Sequence, residues 1–438
     1  MRSPLLSFLL LAATTTLAQP PINGPMPGYS ECFGTAIWMQ CQGPCSARLE
    51  YRPEGGDGPY AIMPTKIGDP GKAYAMTFDI TAVEPGRTYE YRVFVDERLL
   101  VTPEPLFFHT QGLWKWRSDP PDFTVATGSC AYINEPPYDR PDGPKGPYGG
   151  GYTIFNSIAD QRPDLMLWLG DNAYLREPDW GTWNGILHRY THTRSTPELQ
   201  RLLRSTHHYA IWDDHDFGPN DADGSFINAA LTREAFDLFW PNPQGHAPGT
   251  KGITTSFSYS DVDFFLLDDR TERISAKMRT SEPTILGDAQ IEWLIQALRY
   301  SDATFKMVAL GGQFLNDAAL FENYATVPAE RQRIIDRITA EGITGVVFLT
   351  GDRHFTELSE MRLTNGNMLY DLTVSPLTSG AYAPQEENHL SVPGTRVAER
   401  NFGLLRFTGP KGDRTLTITV HSTEGEVIWE QRIKAPKK

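Results

Sequence analysis

Two rhythms of apolar and polar positions divide the chain. Up to about residue 112, short strand-like runs such as Ala36-Ile37-Trp38-Met39 and Tyr89-Glu90-Tyr91-Arg92-Val93 are separated by turns rich in Gly and Pro. Alternation places one face of a strand in a core and the other in water, and turns at this spacing predict a small all-β sandwich over 26–112. Leu113 to Asp122 reads as a linker. From Phe123 apolar β-rich runs alternate with longer helix-like stretches, which predicts an α/β domain over 123–438 with central β-sheets flanked by helices. The runs expected as strands are 123–127, 165–169, 209–212, 264–267, 306–310 and 346–349; helices are expected near 152–161, 226–239, 288–300 and 329–341. Late alternating runs at 415–420 and 427–433 should return as antiparallel strands. Segments 134–151 and 383–398 read as long loops, which in compact domains are often functional.

Composition narrows the function. A hydrophobic share of 40% and a charged share of 21% suit a sizeable core. The formal charge of −14 speaks against a nucleic-acid-binding patch and against a polybasic membrane anchor. An anionic ester has to be captured by local cations, and bound metal ions would supply them. Arg2, the apolar stretch Leu5 to Ala13 and the small-x-small site Thr16-Leu17-Ala18 read as a Sec-type signal peptide over 1–18. The expected location is therefore secreted or periplasmic, with no transmembrane segment and no obligate protein partner evident. Of the four cysteines, Cys32, Cys41 and Cys45 crowd together where one disulfide is expected, with the pairing open; Cys130 stands apart.

The residues that can carry chemistry sit immediately behind the buried strands. After 123–127 comes Gly128-Ser129-Cys130, and after 165–169 comes Gly170-Asp171-Asn172-Ala173-Tyr174. After 209–212 comes Asp213-Asp214-His215-Asp216, and after 346–349 comes Thr350-Gly351-Asp352-Arg353-His354. Ligands of open α/β sheets bind beyond the carboxyl ends of strands, so the four clusters are expected to meet in one crevice. Carboxylate, imidazole, phenolate and thiolate are all metal ligands, and together they can hold two cations. Each cluster alone has a bland reading. Asp171 can cap a helix, Asp213 and Asp214 can sit in a solvated turn, and Tyr174 can be a core aromatic. Four in succession behind strands favour a site. Asp268-Asp269-Arg270 reads as structural support, and Gln313 and Asn316 as candidate lining.

These stretches, with Asn220-Asp221, Leu267-Asp268-Asp269-Arg270, Arg273, Leu286-Gly287, Gln290 and Trp293-Leu294, resemble the alkaline phosphatase D (PhoD-like) family of the calcineurin-like metallophosphoesterases. Glu84-Pro85-Gly86-Arg87-Thr88-Tyr89-Glu90-Tyr91 resembles a turn and strand of fibronectin type III-like domains. The resemblance implies a metallophosphoesterase sandwich behind a small fibronectin type III-like domain, and a hydrolase of small-molecule phosphate esters or phosphodiesters. It implies iron (Fe3+) held by Cys130, Tyr174 and His354, calcium held by Asp214 and Asp352, and Asp171 bridging the two. It further implies His215 near the leaving group and Arg353 as a phosphate contact, with a hydroxide between the cations as nucleophile. Calcium's preference for oxygen ligands fits Asp171, Asp214 and Asp352. Ordinary metallophosphoesterases begin with Asp-x-His and end with Gly-His-x-His; here Cys130 and Asp352 replace histidine-bearing positions, a shift away from a two-zinc site.

Related readings are a phosphodiesterase or phospholipase D-like enzyme, and, from another class, a noncatalytic surface protein on a degenerate phosphatase scaffold. A serine esterase is disfavoured because no Gly-x-Ser-x-Gly elbow is present.

Overall fold

The computed structural model describes residues 22–436 except 137, 140 and 142–147. The expected signal segment, 1–18, lies outside the described residues, as does part of the loop 134–151. No helix among the described residues is long and apolar enough to cross a membrane.

Strands between Ile22 and His109 form two antiparallel sheets. One joins Ile22–Glu31, Gly34–Cys41 and Ala75–Ile80; the other is built on Ser46–Pro53 and Thr88–Val95. Thr88–Val95 buries every second residue, as a half-solvated strand must. The disulfide joins Cys41 to Cys45, leaving Cys32 unpaired. This all-β region is packed against the rest of the chain. Trp38 is fully buried, lies 5.5 Å from the Phe239 ring and donates its indole N–H to the Leu238 carbonyl at 2.9 Å.

Beyond Phe123 stand two six-stranded sheets. The first runs in the order His207–Ile211, Leu165–Leu169, Phe123–Gly128, Asn401–Thr408, Thr415–Ser422, Val427–Lys434. Its first three strands are parallel and the last three return antiparallel. The second sheet has the parallel centre Val262–Leu266, Phe305–Ala309, Val346–Thr350, Met368–Thr373, with antiparallel edges Thr255–Tyr259 and Glu357–Arg362. Leu165–Leu169, Phe305–Ala309 and Val346–Thr350 are buried at every position, and all but Lys306 and Thr350 are apolar. Parallel neighbours need crossover connections, and helices supply them: Ile154–Asp160 in the first sheet, Gly287–Tyr300 and Pro328–Ala340 in the second.

The expected strands and helices are present, with ends displaced by at most three residues. Helix Trp183–Arg194 has no counterpart among the expected elements, because its sequence lacks an apolar stripe; it buries Arg189 instead, paired with Asp139 and Asp179 at 2.8 Å each.

Candidate active site and metal centre

The loops that leave the parallel strands of both sheets converge. Backbone geometry there is unusual for L-residues: Cys130 (φ 58°), Asp171 (54°), Asp352 (64°) and His354 (55°) all adopt the left-handed region. Such conformations cost about 1–3 kcal/mol each and cluster where function over-determines them. Gly170 (φ 90°) permits the closest approach, since a Cβ there would lie 2.6 Å from that of Asp213. Asp216 welds the same two loops: its buried carboxylate accepts the N–H groups of Asn172, Ala173 and Asp213 at 2.9–3.1 Å.

At the centre lies Asp171. Its Oδ2 is 3.6 Å from Cys130 Sγ, and its Oδ1 accepts the His215 N–H at 3.2 Å. Donor atoms of Cys130, Asp171 and His354 lie within 4.8 Å of one another, as do those of Asp171, Asp214 and His215, and those of Asp214, Asp221 and Glu322. Tyr174 Oη is 3.5 Å from His354 Nε2, and its ring centroid is 4.3 Å from that of His215. Asp352 and His354 share the wall of one cavity with Asp171 and Asp214. The six residues expected to grip metal are thus brought together.

Arg353, expected at phosphate, lines the same cavity as Asp171, Asp214 and Asp352. Its guanidinium donates to Asn323 (2.7 Å), Gln313 (3.2 Å) and Glu386, and lies 4.6 Å from the Phe321 ring. Those bonds also tie loops together. Gln313 and Asn316 are fully buried and bond Glu357 rather than lining the crevice. Asp268 accepts the N–H groups of Ile253, Arg270 and Thr271, and Arg270 pairs with Asp213 and Glu322, a supporting lattice beneath the site. Sequence reasoning missed Glu322, which stands behind no strand motif, and the pair Ser375 and Ser379. Ser375 Oγ donates to Cys130 Sγ at 3.2 Å, and Ser379 Oγ lies 3.1 Å from His354 Nε2. Both serines come after strand Met368–Thr373, so reading the residues behind that strand would have found them.

The donor set fits cations on electrostatic grounds. Burial drives the Asp171 carboxyl well up, and Asp214, Cys130, Asp216 and Asp352 push it further. Burial likewise lifts Cys130 to about 11 and Asp352 to about 7. Against burial, His215 and Arg270 hold Asp214 down at about 2. A buried acid such as Asp171, raised further by its acidic neighbours, marks a place where a cation is stabilising. The thiol, phenol and imidazole on one side, and the carboxylates on the other, differ in softness as two unlike ions would require.

His215 has a buried Nδ1 without a partner and lines two cavities that meet at His215, Asn220 and His354. Burial lowers its pKa, and the Asp214 carboxylate opposes this. One cavity, of about 360 Å³, is walled by Tyr132, Tyr148, Tyr174 and Trp180; the other, of about 470 Å³, by the five carboxylates Asp171, Asp214, Asp221, Glu322 and Asp352.

Paired sheets flanked by helices, with an acid-rich crevice behind the parallel strands, define the metallophosphoesterase class. Two solved structures share the fold. A PhoD structure superposes with a TM-score of 0.73 at 18% identity, over 94% of this chain and 91% of the other. Purple acid phosphatase PPD1 from yellow lupin (Lupinus luteus) seeds gives 0.69 at 12% identity, over 95% and 74%. Alkaline phosphatase D of Bacillus subtilis (strain 168) is 23% identical over 415 residues, spanning 83% of this chain and 67% of that protein. The family model for PhoD-like phosphatase matches residues 125–424, and the chain belongs to that family. It is a phosphoric ester hydrolase, and its family implies metal ions and a small-molecule substrate. The noncatalytic reading is set aside.

Proposed function

We propose that this is an exported, metal-dependent phosphoester hydrolase whose cations are held by Cys130, Asp171, Tyr174, Asp214, Asp352 and His354. The observation that carries the reading is that two donor groups, Cys130/Asp171/His354 and Asp171/Asp214/His215, share Asp171. Iron(III) suits the thiolate, phenolate and imidazole side, and calcium the carboxylates Asp214 and Asp352. Bound there, the ions would neutralise phosphoryl charge and make water nucleophilic near neutral pH.

The chain's own residues do the rest. Asp171 accepts the His215 backbone N–H and so ties down the loop that carries the imidazole. The His215 ring, tilted by 30° against Tyr174, stabilises the departing oxygen from Nε2, by proton or by hydrogen bond. Arg353 acts as a positioning residue: it tethers Glu386 of the 383–398 loop and lowers the pKa of Asp352 against the rise imposed by burial. We read 26–112 as the N-terminal domain, 113–122 as its linker and 123–438 as the catalytic domain, behind a signal at 1–18.

Cleavage of diesters is a second reading, favoured by the two cavities that flank His215, since a diester carries an organic arm on each side. Rates of the purified enzyme on p-nitrophenyl phosphate and bis-p-nitrophenyl phosphate separate the two. Asp171→Ala should lose both metals and reduce either rate by about 10³-fold, several kcal/mol of transition-state stabilisation. Normal turnover in that variant contradicts the site assignment.

A further inference from the structure

The two cavities beside His215 differ in chemistry, and the difference selects a substrate. Five carboxylates wall one of them, with Arg353 and the two separate rings of Phe321 and Tyr382. The other is lined by rings: Tyr148 meets Tyr132 edge-on at 4.9 Å, Tyr132 meets Tyr174 edge-on at 5.1 Å, and Trp180 lies on the same wall. The Trp180 indole N–H has no hydrogen-bond partner among the described residues, although the ring packs partly against the core. Arg176 is the guanidinium that lines this cavity, and its Nε is 3.9 Å from Glu177, beyond hydrogen-bonding distance.

The reacting phosphoryl group belongs where the two cavities meet, beside His215, Asn220 and His354. An ester's organic arm has to lie in one or the other. Carboxylates and cations favour hydrated, oxygen-rich groups, whereas a wall of aromatic carbon favours a ring that stacks or meets it edge-on, an added stabilisation of about 0.5–1.5 kcal/mol per ring pair. A volume of about 360 Å³ holds a one- or two-ring group.

Resting on the phosphoester hydrolase reading, we propose that the aromatic cavity is the leaving-group subsite, that it selects phosphoesters of aromatic alcohols, and that Trp180 is its specificity-determining wall. Hydrolysis breaks the bond from phosphorus to the ring-bearing oxygen and forms one from phosphorus to the oxygen of water. One proton of that water ends on the departing oxygen by way of His215 Nε2, and the other leaves with the phosphate. The products are the aromatic alcohol and phosphate, or a phosphomonoester if the substrate was a diester.

The test uses the metal-loaded enzyme and two non-hydrolysable competitors, phenylphosphonate and methylphosphonate. In the wild type phenylphosphonate should inhibit at least fivefold more tightly. A smaller ratio overturns the proposal without any variant having to fold. Trp180→Ala should bring the ratio towards one, and Trp180→Phe should restore most of it. Equal loss of affinity for both phosphonates in Trp180→Ala means a structural role only, and also overturns it. Failure of the underlying hydrolase reading looks different: neither phosphonate competes and no ester is turned over.

Discussion

At the scale of single residues, Asp216 shows how the site is held without facing it. It lines neither cavity, is fully buried, and satisfies three backbone N–H groups on two loops. Removing such an acceptor leaves buried donors unpaired, at about 1–3 kcal/mol each. Asp216→Ala should therefore lower stability by about 3 kcal/mol or more in denaturant unfolding, and should weaken metal retention because Asp171 and Asp214 sit on the loops it joins. Asp216→Asn keeps an acceptor and should lose less. If the alanine variant matches the wild type in stability, Asp216 is not the weld described. Its position within Asp213-Asp214-His215-Asp216 advertised chemistry, yet nothing in the sequence distinguishes the acid that faces the crevice from the one that ties loops beneath it.

At the scale of elements, strand His207–Ile211 joins the N-terminal sheets to the catalytic sheet through His207, and its neighbour His208 ties the strand to the catalytic core; both must stay neutral. His207 Nε2 accepts the His109 N–H at 3.0 Å, and its Nδ1 lies 2.8 Å from the Gly28 carbonyl. His208 Nδ1 accepts the Trp168 indole N–H at 3.0 Å, and its Nε2 faces the Leu202 carbonyl at 3.1 Å. Burial pushes His207 down to about 4 and His208 to about 3. These are depressed histidine values, so the stability they contribute is complete above pH 6.5, the unfolded value, and is lost as pH falls through 4 and 3. Between about pH 6 and 5 each contributes a slope approaching one proton, about 1.4 kcal/mol per pH unit. His207→Gln should reduce the measured slope of unfolding free energy by about one proton relative to wild type; an unchanged slope contradicts the neutral-histidine assignment. In the neighbouring sheet, the Cys41–Cys45 bridge closes a loop of only four positions, so Cys41→Ser should cost no more than about 2 kcal/mol and leave turnover intact. A Cys41→Ser enzyme with normal stability but lost activity would reverse that expectation.

Elements were legible where the pattern followed simple burial and hidden where polar groups are buried and satisfied. Leu165–Leu169 and Val346–Thr350 announce themselves as apolar runs. Met368–Thr373 does not, because Asp371 interrupts it. In the fold that carboxylate accepts the N–H groups of Phe314 and Leu315 and the Thr350 hydroxyl, contacts from distant segments that no local pattern encodes. Overlooking that strand also hid Ser375 and Ser379. Glu357, buried and bonded to Gln313, Asn316, Asn388 and Arg396, conceals the adjoining edge strand for the same reason.

At the scale of the whole molecule, a chain with a net charge of −14 gathers five of its acids into one crevice, although its family acts on anionic phosphoric esters. On the proposed reading cations offset that crowding of acids, so fold, charge and activity would depend on the same ions. Elemental analysis of the purified protein, read together with its visible absorption and turnover, tests this most directly. The account predicts iron and calcium in each chain, a visible band from Tyr174 or Cys130 ligation that Tyr174→Phe shifts or abolishes, and loss of turnover when the metals are stripped. A colourless, metal-free preparation that hydrolyses phosphoesters at the full rate would contradict it.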